Sequence, residues 1–294
     1  MVGVLSFKDS HKLATISGKP VTGQSSVSSE DIEYVKKIVR EAGATAIAMR
    51  EGVDIREKSG PSDKVTAADC AISKELVKQL SARFPNDEIV SEEDEHHSPE
   101  GTKQRVWLVD PIDGTDNYIC NDGQYSVMIG LLVDGEPTFG WVYAPAWQTL
   151  YFGGPGYGAH FEKDDAQSER FSELENLHIE SKARVIMGGR DRKSHPWVSE
   201  LPQVQVVKMG SIGLKVAKVL EGHADLYVHL AGRLKTWDTA GPIAIALGGK
   251  LEVGPMQGDA IVFPKDSVRL ESSVIIGRPG CLSWSRTYIA QQPQ

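Results

Sequence analysis

The chain has 294 residues, of which 40% are hydrophobic and 24% charged, so it can bury the core of one large domain or of two closely packed domains. The formal net charge of -8 argues against sequence-independent binding of nucleic acid polymers, which needs a cationic surface. No apolar stretch is long enough to span a bilayer. A signal peptide is not recognisable at the N-terminus, and Cys70, Cys120 and Cys281 are too few and too widely spaced for a disulfide framework. These features predict a cytoplasmic protein without a membrane partner.

The first part of the chain predicts a flexible arm followed by two helices. Residues 1–27 mix Ser, Gly, Thr and Lys without periodicity and predict a flexible N-terminal arm. Helical spacing begins at the cap Ser28 and continues to about Met49, and a second helix is predicted from Thr66. The segment 55–65 between them is polar and predicts turns.

Strands and turns dominate the next part. Short apolar runs predict strands at 88–90 and 106–109. The turn Asp134-Gly135-Glu136 between apolar segments predicts an antiparallel hairpin. A polar stretch at 164–175 predicts a domain boundary, which gives an α+β domain over 28–165.

The remainder of the chain, residues 166–294, alternates strand and helix and predicts an α/β domain. Strands are predicted near 183–187, 204–207 and 224–229, with a helix starting at Ser211 between the second and the third. The last helix is predicted over 237–247.

The strongest chemical signal is the run Trp107-Leu108-Val109-Asp110-Pro111-Ile112-Asp113-Gly114-Thr115. An apolar strand delivers Asp110 and Asp113 on either side of a proline bend, so their carboxylates can converge on one hard cation. The carbonyl of Ile112 offers a further oxygen ligand. Gly114 allows close approach of the backbone to a substrate, and amides at Thr115 could receive a phosphate oxygen if a helix starts there. The alternative is an Asp-Pro turn that caps local amides.

Four other acidic residues are candidates for the same centre. Glu92 follows a strand inside the acidic run 91–95, which by itself is typical of a solvated surface. Asp238 precedes an apolar helix and by itself predicts a helix cap. Asp63 and Asp69 flank Lys64-Val65-Thr66, where caps or turns are again the simpler interpretation.

Taken in order, these segments resemble the inositol monophosphatase superfamily. The resemblance rests on Asp63-x5-Asp69, Ser91-Glu92-Glu93, the Asp110–Thr115 run and Trp237-Asp238, and it extends from about Ser28 to Pro279. It implies a layered α-β-α-β-α sandwich of the sugar-phosphatase type, with a mostly antiparallel N-terminal sheet. It also implies a lithium-sensitive, magnesium-dependent phosphatase with two to three Mg²⁺ ions in each active site.

The resemblance also assigns roles to individual residues. Glu92, Asp110 and the carbonyl of Ile112 match the ligands of one Mg²⁺; Asp110, Asp113 and Asp238 match those of a second. Asp63 and Thr115 match the pair that positions or deprotonates the attacking water. Asp69 matches an acidic residue that supports the metal region, and Gly114 and Thr115 match backbone that contacts phosphate.

Within the family, the chain looks most like bacterial phosphatases of 3′-phosphoadenosine 5′-phosphate (PAP) in sulfur metabolism. This resemblance implies that Ser211 and Lys215 contact the nucleotide, although a helix cap and a solvated lysine are equally consistent with the residues. Arg190 and Arg192 follow a predicted strand and offer cations for a second phosphate.

The predicted function is therefore removal of the 3′-phosphate of PAP, which gives AMP and phosphate. Asn117 is closer to the inositol-phosphate pattern, which keeps inositol monophosphate and fructose 1,6-bisphosphate as alternative substrates. Outside enzymes, the alternative is a non-catalytic regulator that binds phosphate or metal. The predicted partner is a small phosphate ester, and the resemblance leaves a homodimer open.

Overall fold

The structure, a computed structural model, describes residues 27–50, 55–60, 63–94, 103–164 and 166–290, with the backbone alone at 55–60 and 63–64. The predicted flexible arm therefore lies outside the described residues except for Val27. The side chain of Asp63 lies outside them as well.

The described part of the chain contains seven α-helices, two 3₁₀ helices (Pro145–Trp147 and Pro196–Glu200) and fourteen strands. The helices are α1 (Ser29–Ala48), α2 (Ala67–Arg83), α3 (Thr115–Cys120), α4 (Gly189–Ser194), α5 (Ile212–Leu220), α6 (Thr236–Gly248) and α7 (Cys281–Tyr288). The strands in the first half are β1 (Ile55–Gly60), β2 (Asp63–Thr66), β3 (Glu88–Ser91), β4 (Arg105–Asp113), β5 (Ser126–Val133), β6 (Glu136–Ala144), β7 (Thr149–Gly154), β8 (Gly158–Lys163) and β9 (Glu169–Arg170). The strands in the second half are β10 (Ala183–Met187), β11 (Val204–Lys208), β12 (Leu226–His229), β13 (Glu252–Gly254) and β14 (Val274–Gly277).

Two large sheets organise the described residues. The first has seven strands in the order β3-β4-β5-β6-β7-β8-β9, antiparallel throughout except for the parallel pair β3–β4. The second has five strands in the order β11-β10-β12-β14-β13, with parallel pairs on both sides of β10 and antiparallel pairs on both sides of β14. Strands β1 and β2 form a separate hairpin.

Side-chain alternation on the first sheet explains how the layers stack. Trp107 on β4 packs with α1 and α2 in one hydrophobic cluster, whereas its neighbour Leu108 packs with α5 and α6 in another. Because successive side chains of a strand point to opposite faces, each face buries its own layer of helices. The second sheet contributes Tyr227 and Ile276 to the α5–α6 cluster, and α7 packs beyond that sheet. The predicted α+β sandwich is thereby confirmed.

Helix α6 packs unusually close to the first sheet because glycines face each other at the contact. A Cβ added at Gly140 on β6 would lie 2.1 Å from the carbonyl oxygen of Gly241 on α6. A Cβ added at Gly130 on β5 would lie 2.4 Å from the amide nitrogen of the same residue. Side chains at these positions would push the helix away, so the glycines allow α6 to lie close to β5 and β6.

Two parts of the predicted element order are wrong. The segment 55–65 holds most of the β1–β2 hairpin instead of turns alone, because backbone pairing needs no apolar alternation. The helix predicted over 237–247 is not the last element, since β13, β14 and α7 follow it. Strand β14 was missed because a strand that is buried on both faces shows no alternation.

The predicted boundary between residues 165 and 166 stays a prediction. Strand β9 lies beyond it and pairs with β8 of the first sheet, and α6 from the second half packs against β5 and β6. In the described part of the chain no helix has the length and apolar character needed to cross a membrane.

Candidate active site

A β-bulge at the end of β4 presents the two central carboxylates. Asp110 is opposite Met128 and Asp113 is opposite Ser126, so three steps along β4 match two steps along β5. Pro111 lies inside this irregularity, where a residue without an amide hydrogen costs no ladder bond. Asp110 and Asp113 are 1% and 7% exposed. The bulge therefore holds two buried carboxylates where regular pairing would have sent their side chains to opposite faces.

The chain turns sharply after the bulge. Gly114 has φ 94°, in the left-handed region that glycine occupies without strain. Helix α3 starts at the next residue, Thr115, whose hydroxyl donates to the carbonyl of Ile112 at 3.2 Å. The turn thus places a hydroxyl and a carbonyl oxygen beside the two carboxylates.

The start of α5 holds Asp113 in place. The Ser211 hydroxyl and the Gly213 amide both donate to Asp113 Oδ2, at 2.5 Å and 3.0 Å. The Ser211 hydroxyl also accepts from the Leu214 amide at 3.1 Å and lies 2.8 Å from the Ser126 hydroxyl. Ser211 is fully buried, so in this structure its hydroxyl positions a carboxylate; its predicted contact with the nucleotide stays a prediction.

Glu92 and Asp238 reach the same place from other elements. Glu92 follows β3, which runs parallel to β4, and its amide donates to the Val109 carbonyl at 3.1 Å. Asp238 lies in the first turn of α6, where the Lys235 amide donates to its Oδ2 at 2.6 Å. The close packing of α6 on the sheet is therefore what brings Asp238 to the strands that carry the other carboxylates.

One cleft of about 630 Å³ contains most of the predicted site residues. It is lined by Glu92, Asp110, Ile112, Asp113, Gly114, Thr115, Arg190, Arg192, Lys215 and Asp238. The roles of these residues as metal ligands or substrate contacts remain predictions.

Burial and mutual repulsion raise the pKa values of the clustered carboxyls. Burial raises the pKa of Asp110 well above its usual range, and the charges of Glu92, Asp113, Asp238 and Asp69 raise it further. Burial also raises the pKa of Asp238 to about 7, with Asp113 adding to the effect. Adjacent buried carboxylates of this kind are stabilised by a positive charge placed between them.

These residues fit a divalent metal ion. Asp110 Oδ1 is buried and has no hydrogen-bond partner among the described residues, which leaves an anionic oxygen uncompensated at the centre of the cluster. No three His, Cys, Asp or Glu side chains of the described part form a metal-binding group by themselves. Mg²⁺ also uses carbonyl oxygens and retains water, so a partial carboxylate set is compatible with it.

Asp69 supports the cluster from outside the cleft lining. Its carboxylate accepts from the Thr66 amide at 2.8 Å and from the Thr66 hydroxyl at 2.5 Å, which forms a capping box at the start of α2. Its charge contributes to the raised pKa of Asp110. Asp69 thus combines the cap role with an electrostatic contact to the centre.

Five cations also line this cleft. They come from α4, β11, α5 and the segment before α6, and they comprise Arg190, Arg192, Lys208, Lys215 and Arg233. Lys215 is only 4% exposed, and burial lowers its pKa against the opposing effects of Asp113, Asp238 and Asp191. These five residues are called the cationic side of the cleft, and the clustered carboxylates its anionic side.

Sequence reasoning missed a buried anchor on the cationic side. Asp191 Oδ1 accepts from the Leu230 and Ala231 amides, each at 3.1 Å, and its Oδ2 lies 2.6 Å from His229 Nδ1. These contacts tie α4 to the segment after β12. The run Arg190-Asp191-Arg192 could have indicated this anchor, since an acidic residue between two arginines can fix the backbone on which both arginines lie. Lys208 and Arg233 were missed because an isolated lysine or arginine has no sequence pattern that predicts a binding role.

Comparison with known proteins decides the family. The profile of the inositol monophosphatase family matches residues 25–273.

The chain belongs to the inositol monophosphatase family. Curated members of this family are phosphatases that hydrolyse phosphomonoesters. The chain is 29% identical to the inositol-1-monophosphatase of Bacillus subtilis over 84% of this chain and 91% of the relative. It is 30% identical to the 3′(2′),5′-bisphosphate nucleotidase CysQ of Salmonella typhimurium over 80% of this chain and 95% of the relative.

Solved structures of the inositol monophosphatase family share the fold. One is described as an IMPase/NADP phosphatase complexed with Mg²⁺ and phosphate; it matches with a TM-score of 0.75 at 19% identity and covers 90% of this chain and 96% of its own. At that level of identity the likeness supports the fold of the chain.

Proposed function

We propose that the chain removes the 3′-phosphate of 3′-phosphoadenosine 5′-phosphate and releases AMP and phosphate. The observation that carries this proposal is that clustered carboxylates and several cations line one cleft. A substrate with two phosphates matches both sides, since the carboxylates need a metal ion to accept one phosphate and the cations can pair directly with the other.

On this proposal Glu92, Asp110, the Ile112 carbonyl, Asp113 and Asp238 hold two to three Mg²⁺ ions. Bound magnesium neutralises phosphate charge and lowers the pKa of water. Ser211 and Gly213 keep Asp113 oriented through their hydrogen bonds to its Oδ2.

Thr115 and Asp63 are proposed to handle the attacking water. The Thr115 hydroxyl donates to the Ile112 carbonyl, so its oxygen is available to accept a hydrogen bond from water. In the relay, the hydroxyl would turn to donate its proton to Asp63 as it takes a proton from the water. The water oxygen would bond to phosphorus while the bond from phosphorus to the ribose 3′-oxygen breaks. The 3′-oxygen would take up a proton from solvent water, and Asp63 would return its proton to the solvent.

The remainder of the nucleotide is proposed to lie on the cationic side. Arg190, Arg192 and Lys208, which line the cleft, would bind the 5′-phosphate. Lys215 interacts electrostatically with Arg192 and with Asp113 and Asp238. Met209 and Leu234 give the same cleft an apolar surface, which suits a nucleobase.

The second candidate is hydrolysis of inositol monophosphate or fructose 1,6-bisphosphate. The similarity to an inositol-1-monophosphatase favours it as a specific observation. Asn117 also lines the cleft, where its amide donates to Asp122 at 2.6 Å. Inositol monophosphate has one phosphate and would leave the cationic side without a partner. The regulator remains the candidate outside enzymes, and a homodimer remains an expectation from the resemblance.

The test is release of phosphate from PAP, inositol 1-phosphate and fructose 1,6-bisphosphate, with magnesium and with a chelator. We expect magnesium-dependent turnover, highest kcat/KM for PAP, and no turnover by Asp113→Ala. Replacing Lys208 by alanine removes one charge-assisted contact and should lower kcat/KM for PAP about tenfold.

The control for Lys208→Ala is inositol 1-phosphate, which has no second phosphate, so its kcat/KM should stay within about twofold. A preference for inositol 1-phosphate in the unmodified protein would contradict the assignment of substrate. Absence of turnover on all three compounds in the presence of magnesium would favour the regulator.

A further inference from the structure

The cleft does not end at its cationic side. A second cavity of about 540 Å³ adjoins it and shares Gly189, Arg192 and Lys208 with it. The remaining lining residues of this second cavity are Lys193, Pro196, Ser199, Glu200 and Val206. Together the two adjoining cavities make up a groove, lined at one end by the carboxylates and at the other by residues of α4, the 3₁₀ turn after it and β11.

The junction between the cavities is shaped by small residues and cations. A Cβ added at Gly188 would lie 3.7 Å from Lys215 Nζ, and one added at Gly189 would lie 3.8 Å from Arg192 Nη2. The two glycines therefore lie between these cations without filling the space. Arg192 Nε is buried and has no hydrogen-bond partner among the described residues, so the junction contains a cationic donor that no protein acceptor satisfies.

The second cavity has a mixed lining. Pro196 and Val206 supply apolar surface, Lys193 and Lys208 supply positive charge, and Glu200 is its one acid. Such a surface suits a group that is partly apolar and linked to an anion. It does not resemble the carboxylate end of the groove.

The size of the groove exceeds the needs of one nucleotide. The first cavity, at about 630 Å³, lies within the range of roughly 300–1,000 Å³ that holds a complete small ligand. The cavity beyond Arg192 and Lys208 is therefore additional space that starts where the second phosphate would bind.

We propose that the second cavity is a subsite for a group attached to the far phosphate of the substrate. The substrate class is a 3′-phosphoadenosine whose 5′-phosphate continues into a further phosphate and a partly apolar chain. In that arrangement Arg192 and Lys208 bind the phosphate linkage, and Pro196 and Val206 contact the chain. This proposal rests on the proposed function, since it assumes that the 3′-phosphate lies at the carboxylates.

Coenzyme A is a suitable probe, because it is a 3′-phosphoadenosine with a 5′-diphosphate and a long, partly apolar chain. Hydrolysis would add water across the bond between phosphorus and the 3′-oxygen and give the 3′-dephospho form and phosphate. We expect kcat/KM for coenzyme A within about tenfold of the value for PAP.

A blocking variant tests where the chain lies. Ser199 is exposed on the 3₁₀ turn after α4 and lines only the second cavity among the cavities described here. Ser199→Trp should lower kcat/KM for coenzyme A at least about tenfold and change that for PAP less than about twofold. The matched control is Ser172→Trp, at an exposed serine that lines neither cavity.

The outcomes separate this proposal from the one before it. Turnover of PAP with kcat/KM for coenzyme A more than about a hundredfold lower overturns the subsite alone. Equal losses on both compounds in Ser199→Trp also overturn it, because the indole would then act on the common part of the groove. Failure of both compounds while inositol 1-phosphate is hydrolysed rejects the proposed function together with the subsite.

Discussion

At the scale of single residues, the carboxylates of the site are in an environment that disfavours their charged forms. Asp110, Asp113 and Asp238 all have raised pKa values, chiefly because burial disfavours their charged forms. When folding raises the pKa of an acid, the acid stabilises the folded state at pH values below its pKa in the unfolded chain. This stabilisation is lost as the pH rises through its pKa in the folded protein. For Asp238 the folded value is about 7. At neutral and higher pH the metal-free protein therefore carries uncompensated charge that a cation would relieve.

Magnesium should stabilise the protein more strongly at high pH. The rise in Tm on adding magnesium should be larger at pH 8 than at pH 5.5, because protons compete with the metal for the same oxygens. Asp110→Asn should raise Tm in a chelator at pH 8 and abolish the effect of magnesium. Thermal unfolding at the two pH values measures both effects, with Asp259→Asn at an exposed position as control. A magnesium effect of equal size at both pH values would show that these carboxyls are not its ligands.

At the scale of elements, the contact between α6 and the first sheet assembles the site. Gly130 and Gly140 let Gly241 approach the strands at backbone distance, and Asp238 lies in the first turn of the same helix. The position of one carboxylate relative to the others therefore depends on glycines that do not line the cleft.

Gly140→Ala should destabilise the fold by about 1–3 kcal/mol, because its Cβ would overlap the Gly241 carbonyl and force the helix outward. It should also lower kcat, since the displacement moves Asp238 away from Asp110 and Asp113. Urea unfolding and steady-state kinetics measure the two effects. Gly189→Ala is the control for stability, since its Cβ would meet no atom closer than 3.8 Å. If Gly140→Ala is destabilised but its kcat is unchanged, the position of α6 does not control catalysis.

At the scale of the whole molecule, a buried network of ion pairs joins α1 to strand β8 of the first sheet. Glu162 on β8 pairs with Lys36 Nζ at 2.5 Å and with Arg40 Nη2 at 2.6 Å. Glu162 and Lys36 are both buried. None of the three lines the cleft, so the network bears on stability and leaves the site untouched.

Glu162→Gln should lower the free energy of unfolding by about 2–4 kcal/mol, because two cations lose a buried counter-charge. Its kcat/KM should stay within about twofold of the unmodified value. The control is Glu41→Gln, which breaks an exposed pair with Lys37 at 3.7 Å and should cost less than about 1 kcal/mol. A fall in kcat/KM without a loss of stability would mean that the ion pairs of α1 affect the structure of the cleft.

The sequence by itself determined the local features. The helix starts at Ser28, Thr66 and Ser211 could be predicted, because capping depends on neighbours within one turn. The family could also be recognised from the sequence, because the ordered set of carboxylate motifs is specific to it. The sequence did not predict the polar hairpin β1–β2. It also did not predict strands that lack alternation of apolar and polar residues, such as β14.

Only the tertiary structure decided how distant residues meet. The hydrogen bond from Ser211 to Asp113 joins residues 98 positions apart, and the Asp191 anchor spans about forty. The cavity beyond Arg192 is lined by residues of α4, the 3₁₀ turn after it and β11, which are up to 19 positions apart in the chain. Such contacts depend on the packing of whole layers, in which a side chain's role follows from its neighbours in space, and neighbours in space are not encoded in local spacing.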